Sequence, residues 1–129
     1  GARDLANNVI TLVRRDTREK ITIAKNANIV EEITKLLNTI QTDMFNRAKK
    51  RRDELTFKAH NLDEVKVIMD TQPGFVKAMW CGDEACENKM KEIKGTKSRC
   101  IIDDASPIDD KCVVCGKKAK HLVVWGIQY

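Results

Sequence analysis

Two close pairs of cysteines are the residues in this sequence best suited to chemistry. Cys81 and Cys86 flank Gly82-Asp83-Glu84-Ala85, and Cys112 and Cys115 flank Val113-Val114, with Gly116 next. Between the pairs lie 112 − 86 − 1 = 25 residues. Each pair fits a tight turn that can aim two sulfurs at one point, and the interval has room for a helix and a strand. Zn²⁺ is held by four thiolates at about 2.3 Å, and a site filled by four protein ligands is structural rather than catalytic. Cys81, Cys86, Cys112 and Cys115 are therefore the expected ligands of a structural zinc ion.

The competing readings are a disulfide and a thiol oxidoreductase using Cys112 and Cys115. A redox pair usually opens a helix, whose dipole lowers the thiol pKa. Here the pair runs into Gly116-Lys117-Lys118 and a strand pattern. Gly116 supplies the positive φ that follows a Cys-x-x-Cys knuckle. Lys117 and Lys118 either offset part of the net −2 charge of a four-thiolate zinc or are plain surface lysines. The fifth cysteine, Cys100, sits in an alternating stretch and reads as a small buried hydrophobe. Its use in place of one ligand is the lesser alternative. His121, six residues beyond Cys115, is a second-choice ligand that a strand would carry away from the knuckle. His60 reads as a helix-boundary residue. Five cysteines without an opening signal segment point to reduced thiols and a cytoplasmic location.

The elements that must position these residues follow from periodicity. Val9 to Arg15 is rich in β-branched residues and reads as a strand, buried on both faces in its first half. Asp16 to Glu19 is a turn, and Lys20 to Ala24 is the second arm of a hairpin. Asn28 caps a long helix that runs to about Glu54, with Glu31 and Glu32 suited to its positive end. Ile29, Ile33, Leu36, Leu37, Ile40, Met44 and Ala48 form its apolar stripe. A hairpin and one helix bury apolar surface poorly, so residues 1–54 read as the tail of a larger domain. Residues 55–129 read as a second domain. It has a strand at Thr56 to Ala59, a helix from Leu62 to Thr71 capped by Asn61, and a strand from Phe75 to Trp80. A helix from Glu84 to Lys94, a strand from Ser98 to Ile102 and a closing strand after Ala119 follow. The expected class is α+β: a β-α-β-α-β-β two-layer sandwich with a Cys₄ zinc site, preceded by the hairpin and helix.

One third of the residues are charged, 42% are hydrophobic, and the formal net charge is +5. No apolar run is long enough for a membrane-spanning helix. The positive excess is compatible with a nucleic-acid partner. Aromatic residues make up only 5% of the chain, so platforms for stacking unpaired bases are not evident. Arg47, Lys49, Lys50, Arg51 and Arg52 are the one cationic cluster, read either as phosphate contacts or as a solvated helix end. Arg14 and Arg15 either face RNA or close a strand-end salt bridge. Trp80 and Trp125 read as packing residues.

Several stretches together resemble a known family. They are Val13-Arg14-Arg15-Asp16-Thr17, Glu19-Lys20, Phe75 to Asp83, Cys86-Glu87, Arg99-Cys100-Ile101, Cys112 to Lys117, and Trp125-Gly126 ahead of Tyr129. The chain resembles the C-terminal end of prolyl-tRNA synthetases of the archaeal and eukaryotic type, which some bacteria also carry. The resemblance implies a class II synthetase that activates proline with ATP and charges tRNA(Pro). It implies that residues 1–54 are the end of the anticodon-binding domain with a linker helix, and residues 55–129 a C-terminal zinc domain. It further implies that the carboxylate of Tyr129 reaches toward a catalytic domain outside this sequence. Partners implied are tRNA(Pro), that catalytic domain and a second copy of the parent chain. The fragment would bind no ATP and charge no tRNA alone. A free-standing zinc-ribbon module that binds RNA is the alternative.

Overall fold

The structure, a computed structural model, describes residues 1–128; the Tyr129 expectation lies outside the described residues. The chain forms two compact units, Gly1–Lys49 and Lys50–Tyr129. The boundary falls inside the long helix rather than at its end.

The first unit opens with a short helix, α1 (Ala2–Ala6), which periodicity did not signal. Strands β1 (Val9–Val13) and β2 (Lys20–Ala24) pair antiparallel, with Val9 opposite Ala24 and Val13 opposite Lys20. The expected burial of β1 on both faces is not found. Val9, Ile10 and Leu12 are half-buried, while Thr11 and Val13 are exposed, because the sheet has only two strands. Helix α2 (Ile29–Glu54) begins where Asn28 accepts a bond from the Glu31 N–H at 3.3 Å. None of its residues is buried: Ile33 is 39%, Leu37 59%, Met44 50% and Phe45 63% exposed. The apolar stripe exists, yet it has no cover among the described residues.

The one buried charge of this unit is Arg14, just past β1. It meets Asp16 through two bonds, Nε to Oδ1 at 3.1 Å and Nη2 to Oδ2 at 2.9 Å, and donates to Asp43 Oδ2 at 2.7 Å. Arg47 also reaches Asp16, at 3.3 Å. Of the two readings of Arg14, the salt bridge is the one present.

In the second unit the elements are β3 (Thr56–Lys58), α3 (Leu62–Thr71), β4 (Phe75–Trp80), α4 (Glu84–Lys91), β5 (Thr96–Ile101) and β6 (His121–Ile127). The β-α-β-α-β-β order is the expected one. The strands form a mixed sheet in the order β3-β4-β6-β5, parallel between β3 and β4 and antiparallel elsewhere. Asn61 caps α3 by accepting from the Glu64 N–H at 2.9 Å. Helix α4 stops at Lys91, before the expected Lys94, because residues 92–95 turn into β5 and Thr96 bonds back to Ile93.

Both helices cover one face of the sheet. Val76 and Ala78 of β4 stand opposite Trp125 and Val123 of β6, and these four pack with Val65 and Met69 of α3 and Met90 of α4. Trp125 is fully buried and its indole N–H has no partner there. Full burial of Leu, Val, Phe or Met side chains contributes about 1.5–3 kcal/mol each, so this layer is the energetic centre of the unit. No helix of the described residues is long and apolar enough to cross a membrane.

Candidate metal centre

The first cysteine pair belongs to the turn between β4 and α4. Cys81 directly follows β4, and Asp83 caps α4 by accepting the Ala85 N–H at 2.9 Å. Cys86 therefore lies in the first turn of α4, facing inward and buried. The Trp80 indole N–H donates to the Asp83 carbonyl at 3.1 Å and braces the same turn. Trp80 thus packs and also ties the loop down.

The second pair sits in a knuckle ahead of β6. The Cys112 N–H donates to Lys117 O at 2.7 Å, and the Gly116 N–H donates to Cys112 O at 2.9 Å. Gly116 has φ +70°, the left-handed geometry expected of it, where a side chain would be strained. Two bonds pin the knuckle to the first turn's strand: Val113 N–H to Met79 O at 2.9 Å and Lys120 N–H to Trp80 O at 2.8 Å.

These connections bring the four sulfurs together, all within 4.8 Å of one another. Cys81 Sγ is 3.6 Å from Cys86 Sγ and 3.8 Å from Cys115 Sγ. A tetrahedron with bonds of about 2.3 Å has edges of about 3.8 Å. The donor set and its spacing therefore fit a tetrahedral ion, and they do not fit bonded sulfurs at about 2.05 Å. Cys112 and Cys115 lie in a turn, not at a helix N-terminus, which removes the geometric basis for a redox pair.

The cluster has uneven proton affinities. Burial pushes the Cys81 and Cys86 thiols up, and neighbouring sulfurs raise Cys86 further. Burial acts on Cys112 in the same sense, but backbone hydrogen bonds from Cys115, Val114 and Cys81 outweigh it and bring the thiol down to about 7. These hydrogen bonds favour the thiolate of Cys112.

The remaining candidates separate from this cluster. Cys100 is exposed, not buried as expected. It lies on the edge strand β5 beside a register shift between Ser98 and Cys100, and so escapes the core. His121 is not among the clustered ligands; its ring packs against Trp80 with centroids 5.9 Å apart. His60 is more than a boundary residue. Its Nδ1 lies 3.0 Å from Asp109 Oδ2, tying the loop that leads to Cys112 to the start of α3. Asp109 gave no signal in the sequence, since its partner is 49 residues away. In the cationic cluster, Arg47 pairs with Asp16, Lys50 with Glu54 at 3.7 Å and Arg52 with Asp53 at 2.6 Å. Arg47 and Lys49 belong to the first unit, and Lys50, Arg51 and Arg52 to the second.

Comparison with known proteins adds a family to this geometry. Residues 62–129 match the family described as prolyl-tRNA synthetase, C-terminal. Over all 129 residues the chain is 51% identical to a proline–tRNA ligase of Clostridium novyi (strain NT), covering 27% of that protein. It is 46% identical, again over its whole length and 27% of the relative, to a proline–tRNA ligase of Clostridium botulinum (strain Okra / Type B1). The same figures hold for a protein of Bacillus cereus named proline–tRNA ligase 2. The chain therefore spans about a quarter of the length of these bacterial relatives.

Proposed function

The chain belongs to the prolyl-tRNA synthetase C-terminal family, and from that premise we propose that it is the zinc-bearing part of a proline–tRNA ligase. The observation that carries the reading is 51% identity along the entire chain to a protein of that name. The parent, a class II synthetase, uses ATP to activate proline and transfers it to tRNA(Pro). It works in the cytoplasm as a homodimer. We read the parent as the archaeal and eukaryotic type found also in bacteria, a reading that the cysteine-bearing stretches support. The fragment's own share of that work is structural, and alone it charges no tRNA.

Within it, Cys81, Cys86, Cys112 and Cys115 hold Zn²⁺. Bound there, the ion supplies a cross-link and no reaction step. Cys81 and Cys86 bring the β4–α4 turn to the ion, and Cys112 and Cys115 bring the knuckle that starts β6. Since β6 is the second central strand, the ion fixes the register of the sheet. Residues 1–54 are the last part of the anticodon-binding domain with the linker helix, and the cations Arg47 and Lys49 to Arg52 approach tRNA phosphates.

A graft tests this reading. The chain replaces the matching quarter of the Clostridium novyi ligase, and proline charging of tRNA(Pro) is measured. The graft charges tRNA at a rate near that of the parent, whereas the version truncated at the junction does not. A graft that folds but charges no better than the truncated enzyme would refute the proposal.

A further inference from the structure

The four strands of the second unit read TFK, FVKAMW, TKSRCI and HLVVWGI, with cations on three strands and no acidic residue on any. Alternation decides where the cations go. Val76, Ala78, Val123 and Trp125 face the helices, so their neighbours along each strand face the other way. Lys58 lies directly opposite Lys77, Lys77 opposite Val124, and Lys97 opposite Gly126. Arg99, at the register shift of β5, joins them. A side chain at Gly126 would meet the Phe75 ring at 3.0 Å and Arg99 Nε at 3.2 Å, so the ring and the guanidinium lie together over that strand.

The result is a shallow depression of about 400 Å³ lined by Phe75, Lys77, Arg99, Cys100, Ile102 and Val124, together with Arg52, Asp53 and Thr56. Phe75 is 39% exposed. Arg99 spends one nitrogen on the Ile127 carbonyl at 2.6 Å and keeps further donors. Among the described residues none of Lys58, Lys77, Lys97 and Arg99 forms an ion pair. Like charges directly opposite in a sheet are destabilising, and Lys58 against Lys77 is such a pair. Asp63, Glu64 and Asp70 on α3 and Glu84 and Glu87 on α4 belong to the helix layer, and the one acid lining the depression, Asp53, is paired with Arg52 at 2.6 Å. A mostly apolar sheet face with an exposed ring and a row of unpaired cations is complementary to a phosphodiester chain carrying flat bases.

We propose that the helix-free face of the β3-β4-β6-β5 sheet binds an unpaired stretch of tRNA. Lys58, Lys77, Lys97 and Arg99 contact phosphates and Phe75 stacks on a base. The identity of the RNA rests on the ligase reading above; the polyanion chemistry of the face rests on the strands alone.

The test uses the full chain and a fluorescent tRNA(Pro) transcript, read by anisotropy across a salt series. The variant Lys58→Ala/Lys77→Ala/Lys97→Ala binds about tenfold or more weakly at 0.1 M salt, and its slope of log affinity against log salt is shallower by roughly 2 to 3. The charge-matched control Lys66→Ala/Lys89→Ala/Lys94→Ala, on the helix layer, retains the native slope to within about 1. Bound transcript also slows alkylation of Cys100 by iodoacetamide. Equal loss in both variants, no loss in the first, or an unprotected Cys100 would overturn the assignment. Tighter binding of polyglutamate than of RNA would give the face to an acidic protein segment and overturn it too. If the native chain binds no transcript at low salt, this face is wrong while the ligase reading, judged by charging in the graft, still stands.

Discussion

At the scale of single residues, the five cysteines divide by position rather than by chemistry. Four converge through two backbone-braced turns, and Cys100 stands apart on an exposed edge. Cys112→Ala is expected to lose the proposed zinc and unfold the second unit, because such metal sites contribute on the order of 10 kcal/mol or more to folding. Cys100→Ala is expected to keep one metal per chain and an unchanged unfolding midpoint; metal analysis and urea titration read both. The pairing of the cysteines was legible because spacing encodes it. The exposure of Cys100 was not, because alternation alone cannot tell a covered strand from an edge strand, nor reveal a register shift. Arg14 makes a second case. Asp16, two residues on, was visible in the sequence, but Asp43 lies 29 positions away on α2. The Arg14 guanidinium holds the Asp16 carboxyl down at about 2, below the ordinary value near 3.9. A depressed carboxylate pKa contributes stability that is fully present above the unfolded value and is lost as pH falls through the folded one. Acid unfolding of the first unit is therefore expected to set in below about pH 4 and to develop toward about pH 2. Asp16→Asn should flatten that pH dependence, as followed by circular dichroism.

At the scale of elements, the two units respond differently to the same kind of substitution. Met90 of α4 is fully buried among Val76, Trp125 and Ile93, and Met90→Ala is expected to cost about 2–5 kcal/mol in urea unfolding. Leu37 on α2 is 59% exposed, and Leu37→Gln should change stability by less than about 0.5 kcal/mol. Equal effects would mean that α2 is packed in solution. The spans of β1, β2, α2, α3 and β4 were readable from caps, turns and period, since each signal is local. Whether an element is covered is a tertiary property: the period located the stripe on α2, the lack of partners in residues 1–54 pointed to poor burial, and no residue of the helix is buried. The short α1 has too few residues for a period to register. The strand order β3-β4-β6-β5 likewise depends on long-range pairing that no local pattern states.

For the molecule as a whole, the second unit is small, and a core of that size rarely supplies more than about 3–5 kcal/mol by itself. The proposed ion is thus the difference between a folded sheet and an unstable one. Chelation should unfold the second unit cooperatively. A structural zinc held by four cysteines is read out by native mass spectrometry of the intact chain, with thiols counted after denaturation in chelator. One zinc per chain and five free thiols, the number of cysteines in the sequence, are expected. A metal-free folded chain with Cys112 and Cys115 joined as a disulfide would contradict it.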